Sequence, residues 1–351
     1  MNVIKKIMIG MLSALFILAG CNTGGGQQST RQFTDDLQRV VEIPQKINKY
    51  LPSGSVAQTI LFSVAPDKMI GVSAKFTEEQ KKYLDPKYHD LQAYGQFYGR
   101  NVSMNKEEII AASPDVIIDL GQVKKNMEED LDKLQEDLGI PVIFIEAELN
   151  TMPAAYEKIG KILNMEKEAQ VFVDYCKETL AFAADIKASM QVSKKVYYGE
   201  AENGLTTNPI GSMHAEVLEV VGVQNVVPET FANGKSSGES NLEQVIAWNP
   251  EVLIFGPDVN VNKIMNDTLW QEITAVKQGQ VYQVPNAMQH WFGRPPGVNR
   301  YIGIWWLSSI VANNPDKADM VEKTQAFYQL FYHYEMSAEE AQTLLTEAIQ
   351  V

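Results

Sequence analysis

The sequence predicts an α/β protein of two similar lobes joined by a long helix. Three observations carry this. A pattern of short helix, Pro-acid turn and apolar strand occurs twice. Its strands, such as Val116-Ile117-Ile118 and Val252-Leu253-Ile254-Phe255, lack polar alternation, as strands buried on both faces of a parallel sheet do. The stretch between the copies, residues 151–191, is rich in Ala, Lys, Glu and Met, with Val173, Cys176, Leu180 and Ala184 at helical spacing. At 351 residues the chain accommodates two domains of roughly 100–200 residues each.

The chain opens on a leader. Lys5 and Lys6 precede an apolar run over residues 7–20 that ends in Leu18-Ala19-Gly20-Cys21. Such a run spans only ~21 Å as a helix, short of the ~30 Å hydrocarbon core, so it reads as a signal peptide and not a membrane span. Small residues directly before a cysteine fit a bacterial lipoprotein signal. Residues 1–20 are then removed and Cys21 carries the lipid. Losing the two lysines takes the net charge from −14 to −16. Residues 21–32, with Gly, Ser and Gln prominent, form a flexible tether.

The N-terminal lobe spans residues 33–150 and the C-terminal lobe 192–351. Glu107-Glu108-Ile109-Ile110-Ala111-Ala112-Ser113-Pro114-Asp115 matches Glu243-Gln244-Val245-Ile246-Ala247-Trp248-Asn249-Pro250-Glu251. Upstream, Gly54-Ser55 opens an apolar-periodic helix, and Gly211-Ser212 is expected to open its counterpart through Val217, Leu218 and Val221. Downstream, Gly139-Ile140-Pro141-Val142 answers Gly279-Gln280-Val281. Three pairs in one order read as an internal repeat. One linking helix restricts the lobes to small relative motion. Cys176 on its apolar stripe reads as a small core residue. From Pro315 on, aromatic and apolar residues at helical spacing predict helices packed on the second lobe.

Composition excludes several classes. A strongly acidic chain does not suit phosphate backbones or an anionic membrane surface, so no nucleic-acid partner is expected. Two cysteines and four scattered histidines exclude a disulfide scaffold, an iron–sulfur protein and a paired-ligand zinc site.

The lipoprotein signal, the segment Asp35-Asp36-Leu37-Gln38-Arg39-Val40-Val41-Glu42-Ile43-Pro44, the doubled Glu…Pro-acid-strand pattern and Arg294-Pro295-Pro296-Gly297-Val298-Asn299-Arg300 together resemble one family. It is the substrate-binding lipoproteins of ABC importers for ferric siderophores, haem and cobalamin. The last segment is similar to iron-complex binders near the molybdate- and tungstate-binding members. The resemblance runs from about residue 33 onward. It implies two Rossmann-like lobes bridged by one long helix, a ligand cleft between them, and a lipid-anchored monomer on the extracytoplasmic face of the cell membrane, without a cofactor. It also implies a permease dimer with ATPase subunits as partner, docked through one surface glutamate per lobe. These correspond to Glu107 and Glu243, with Glu108 an adjacent rival. The cargo it implies is a metal chelate, with a molybdate-type oxyanion as the alternative.

Cleft residues follow from geometry. Ligands of open parallel sheets bind beyond the strands' carboxyl ends. In the first lobe this points to Ser53, Gly54 and Ser55, a helix start with free N–H groups, and to Tyr98 and Arg100. In the second it points to Ser212, His214, His290, Trp291 and Arg294. There Trp291 would stack, Arg294 would present a planar fork to oxyanions, and His290 is a candidate metal ligand. The aromatics favour an organic chelate over a bare oxyanion. No nucleophile–base constellation, P-loop or nucleotide glycine motif is present, so a two-lobed chelatase-like enzyme is the weaker reading and a binding protein is expected.

Overall fold

The computed structural model describes residues 29–97, 102–312 and 320–347. A hairpin of β1 (Thr30–Thr34) and β2 (Val40–Pro44) begins it. Its turn is organised by Asp35, whose carboxylate accepts the Leu37 and Arg39 N–H groups and pairs with the Arg39 guanidinium.

The first lobe is built on a parallel sheet in the order β3 (Tyr50–Pro52), β4 (Val116–Gly121) and β5 (Val142–Glu146). Around it lie α1 (Ser55–Val64), the short α2 (Glu78–Lys81), α3 (Lys106–Ala112) and α4 (Met127–Leu138). Then come α5 (Met152–Leu163) and α6 (Glu166–Ser189).

The second lobe holds β6 (Lys195–Glu200), β7 (Thr206–Thr207), α7 (Glu216–Val221), β8 (Gln224–Asn225), β9 (Gly238–Glu239), α8 (Leu242–Trp248) and β10 (Val252–Phe255). It continues through α9 (Val261–Met265), α10 (Thr274–Lys277), β11 (Val281–Gln283), the small β12 (Asn286–Ala287) and β13 (Gln289–His290), and α11 (Asn299–Val311). Its sheet runs β11-β10-β6-β7-β9, with β8 beside the start of β6 and parallel pairing at its centre. The chain ends in α12 (Met320–Tyr332) and α13 (Ala338–Glu347).

The unalternating strands are buried on both faces, as their sequence predicts. Val116, Ile118 and Leu120 of β4 enter one core, and Ile117 enters another. Val252 and Ile254 of β10 face that first core, while Leu253 and Phe255 face a third. Each sheet thus has its own outer apolar layer, and a single inner layer runs continuously between the two lobes.

The repeat is real down to single hydrogen bonds. Asn105 caps α3 by accepting the Glu108 N–H at 3.2 Å, and Asn241 caps α8 by accepting the Gln244 N–H at 2.8 Å. Both helices end on a left-handed residue, Ser113 and Asn249, before the proline. The acid after each proline then ties its strand to that strand's sheet neighbour. Asp115 accepts the Lys49 N–H at 3.0 Å, and Glu251 accepts the Lys195 N–H at 2.9 Å.

Three expectations need correction. Residues 151–191 form two helices and not one, because Asn164 adopts the left-handed conformation and ends α5 before α6 begins. Only α6, 24 residues long, serves as the connecting rod. Second, Gly211-Ser212 does not open a helix. α7 starts at Glu216, and the Ser212 hydroxyl is spent on the Ser236 carbonyl at 2.6 Å. Third, the C-terminal helices do not pack on the second lobe alone. α12 lies against α1, and its Phe331 packs on Tyr156 and Phe172 of the first lobe and linker. These positions hold the largest apolar rings of that stretch, and the shared inner layer is the place that buries them. Cys176 is fully buried, and burial pushes its thiol up to about 12, in keeping with an inert core residue.

Candidate functional site: a cleft between the lobes

The carboxyl ends of β3, β4 and β5 open on a cleft of about 250 Å³. The first lobe contributes residues 53–57, Asp119 to Gln122, Lys124 and Glu148, and the second contributes Met213, Glu216, Pro296 and Arg300. Ser53, Gly54 and Ser55 therefore stand where the sequence expects them. Gly54 is the N-cap of α1 in extended backbone, with no side chain capping the helix. The first-turn N–H groups and the positive end of the helix dipole are left to face the cleft. Gly54 matters here because its missing side chain leaves that approach open.

Ser53 donates its hydroxyl to Asp119 Oδ1. Asp119 is 4% exposed, and its Oδ2 has no hydrogen-bond partner among the described residues. Burial raises its carboxyl to about 6 against the opposing bond from Ser53. On the far wall Arg300 is buried, donating through Nη1 to Glu216 and through Nε to the Gly297 carbonyl at 3.3 Å. Burial lifts Glu216 above the usual carboxylate range, against the pull of Arg300.

The second lobe's expected residues are placed differently. Arg294 is not a spare cation. It forms a two-pronged pair with Glu200, Nε to Oε1 at 2.6 Å and Nη2 to Oε2 at 2.5 Å, and reaches Asn208 Oδ1 at 3.2 Å. Burial would raise Glu200, but Arg294 outweighs it and holds the carboxyl at about 2. Trp291 is 0% exposed. Its indole N–H points to the Tyr328 hydroxyl at 3.3 Å, so the ring is core and offers no stacking face to a ligand. His290 is buried beneath the same region. Its Nδ1 accepts the Phe292 and Gly293 N–H groups, which leaves Nε2 to donate to the Tyr198 hydroxyl at 3.1 Å. Tyr198 in turn donates to Glu200 at 2.8 Å. Burial drops His290 to about 4, so it is neutral and committed to this chain. His214 is half-buried and precedes α7; its Nδ1 donates to the Gly293 carbonyl at 2.6 Å. Burial, followed by the Arg294 charge, lowers its titration. Glu200, His290 and Arg294 line a second, smaller hollow of about 190 Å³.

Cys21, Tyr98 and Arg100 lie outside the described residues. Glu107 and Glu243 are both exposed, each the second residue of its capped helix, while Glu108 accepts from Gln92 Nε2 at 3.2 Å. The repeat pairs Glu108 with Gln244, and so pairs Glu107 with Glu243. Sequence reasoning did not single out Asp119, Glu200 or Glu216. A charge inside an apolar strand marks Asp119 and a charge closing one marks Glu200; nothing local marks the third.

A family model for periplasmic binding proteins matches residues 53–288. The chain belongs to this family. As a periplasmic binding protein it has the two-lobed α/β fold with its cleft between lobes. It is similar to the solved ABC transporter solute binding protein from Sulfurospirillum deleyianum, with 27% identity, a TM-score of 0.80, and 90% of this chain and 99% of the other covered. It is 25% identical to the molybdate-binding protein MolA of Haemophilus influenzae, over 86% of this chain and 91% of that one. It is 23% identical to the Fe(3+)-citrate-binding protein YfmC of Bacillus subtilis, over 80% and 89% respectively. No helix among the described residues is long and apolar enough to cross a membrane.

Proposed function

We propose that this periplasmic binding protein captures a compact tetrahedral oxyanion of the molybdate or tungstate kind and delivers it to an ABC import permease. One observation carries the reading. The uncapped start of α1 faces Arg300 across a cleft of about 250 Å³ whose lining, among the described residues, holds no aromatic ring. That volume is below the ~300–1,000 Å³ usual for drug-sized ligands. Helix N–H groups and a guanidinium suit a small anion. A flat organic chelate would need stacking surface, and the burial of Trp291 removes the chief source of it. Similarity to a protein named for molybdate supports the same class.

A second reading, a small anionic metal chelate, is supported by similarity to a ferric-citrate binder. Both cargoes fit a transport role with no chemistry on the ligand. Glu107 and Glu243 would dock the lobes on the two halves of the permease, and Cys21 would hold the protein to the membrane by its lipid.

Isothermal titration of the purified protein decides between them. Tungstate and molybdate should bind at one site, and haem, cobalamin and ferric siderophores should not. Arg300→Lys should weaken oxyanion binding about tenfold, since a point charge replaces a planar fork. A neutral or cationic best ligand would overturn the oxyanion reading, and tight ferric-citrate binding would favour the second.

A further inference from the structure

We propose that Asp119 couples ligand capture to a proton, so that a fully deprotonated oxyanion enters the cleft together with one H⁺, while a hydrogen-bearing oxyanion brings its own. The inference rests on the oxyanion reading and adds to it a group that sets specificity. The first argument is charge. The cleft is lined by two cations, Lys124 and Arg300, and three carboxyl groups, Asp119, Glu148 and Glu216. Glu216 is paired with Arg300 and offsets part of its charge, so the cleft attracts an anion without a large surplus of positive charge. An ionised Asp119 beside the start of α1 would repel an incoming dianion at close range and in a poorly hydrated place.

The second argument is hydrogen bonding. Asp119 Oδ1 is committed to Ser53, and Oδ2 is buried with no donor among the described residues. A buried, unsatisfied acceptor costs free energy unless a proton or a donor meets it. Protonated, Oδ2 becomes a donor that a ligand oxygen in the cleft can accept from. Ionised, it accepts the O–H of a ligand that still carries hydrogen. Either way one proton lies between Asp119 and the ligand, and the balance is Asp119–COO⁻ + H⁺ + XO₄²⁻ giving Asp119–COOH···OXO₃²⁻. Ser53 and Lys124 act on Asp119 directly, and Glu148 of the same lobe and Glu216 and Arg300 of the other line the cleft with it. With burial holding the Asp119 carboxyl near 6, the free protein has lost this proton at neutral pH, and a deprotonated ligand must draw it from solution.

Calorimetric titration of the whole protein tests this with sodium tungstate from pH 6.5 to 8.5, in two buffers of different ionisation heat. Tungstate affinity should fall about tenfold per pH unit, with one proton taken up per site. Hydrogen phosphate should show no such slope between pH 7.5 and 8.5. In Asp119→Asn, whose amide is a donor at every pH, the tungstate slope should vanish while the circular dichroism spectrum is unchanged. Tungstate binding without slope or proton uptake, a slope that survives in Asp119→Asn, or an equal slope with hydrogen phosphate would each overturn the proposal and leave the oxyanion reading intact. No heat with either anion at any pH would overturn both.

Discussion

His290 and Asp119 are buried residues with displaced titrations, and the two displacements oppose each other. His290 moves from 6.5 to about 4, so its contribution to stability is present above pH 6.5 and lost as pH falls toward 4. Asp119 moves from 3.8 to about 6, so its contribution is present below pH 3.8 and lost as pH rises toward 6. Each unit corresponds to about 1.4 kcal/mol, so over pH 4 to 6 the two nearly cancel. Relative to wild type, Asp119→Asn should melt progressively lower as pH drops from 6.5 to 4.5, with His290 acting alone. His290→Gln should do the reverse, melting higher at pH 4.5 than at 6. Scanning calorimetry across that range checks both, and parallel profiles for all three proteins would refute the opposition. At this scale the sequence is only partly legible. Ser53, Gly54 and Ser55 are readable because a helix start after a strand has one geometry. Arg294 and Glu200 are not readable as a pair, since 94 residues separate them and only the fold brings the guanidinium to the carboxylate. Trp291 misleads for a related reason: a loop position fixes where the backbone runs, not which way the ring turns.

The capped helices α3 and α8 place an exposed glutamate, Glu107 and Glu243, at the same helical position on each lobe. Asn accepts an N–H at the third helical position, and the glutamate stands at the second. In that equivalence the counterpart of Glu108 is Gln244, which carries no charge. Reversing both residues, Glu107→Lys with Glu243→Lys, should abolish uptake in cells that depend on this protein. Ligand affinity and melting temperature in solution should stay as in wild type, because exposed charges govern docking more than cores. Normal uptake by the double variant would remove the docking assignment. Elements were the most legible level of this chain. Buried strands declare themselves by lacking alternation, and the repeat by its order. The break at Asn164 was not legible, because one left-handed residue interrupts a helical pattern without disturbing its apolar spacing.

For the whole molecule, the decisive element is α12. It touches the first lobe with its rings and the second with its hydroxyls. Tyr328 donates to the Ala287 carbonyl at 2.5 Å, and Tyr332 donates to Asn299. Further ties cross between the lobes, Tyr301 to the Leu149 carbonyl at 2.7 Å and Gln80 to the Met288 carbonyl at 3.0 Å. Two helices, α6 and α12, therefore hold the lobes, which limits closure more than one rod would. Phe331→Ala should cost about 3–5 kcal/mol, the range for emptying a large buried ring site. In denaturant it should shift one cooperative transition common to probes in both lobes. Two separated transitions would show that the inner layer is not shared.

That shared layer also sets the order in which the protein can be made. The first lobe leaves the ribosome early, yet the rings that finish its core, Phe327 and Phe331, lie on the last helices but one. Until they arrive, Tyr156 and Phe172 stack on each other without the edge contacts that Phe331 gives both rings. The inner layer is therefore completed only near the end of the chain, although the outer core of the first lobe draws on residues 37–144 alone.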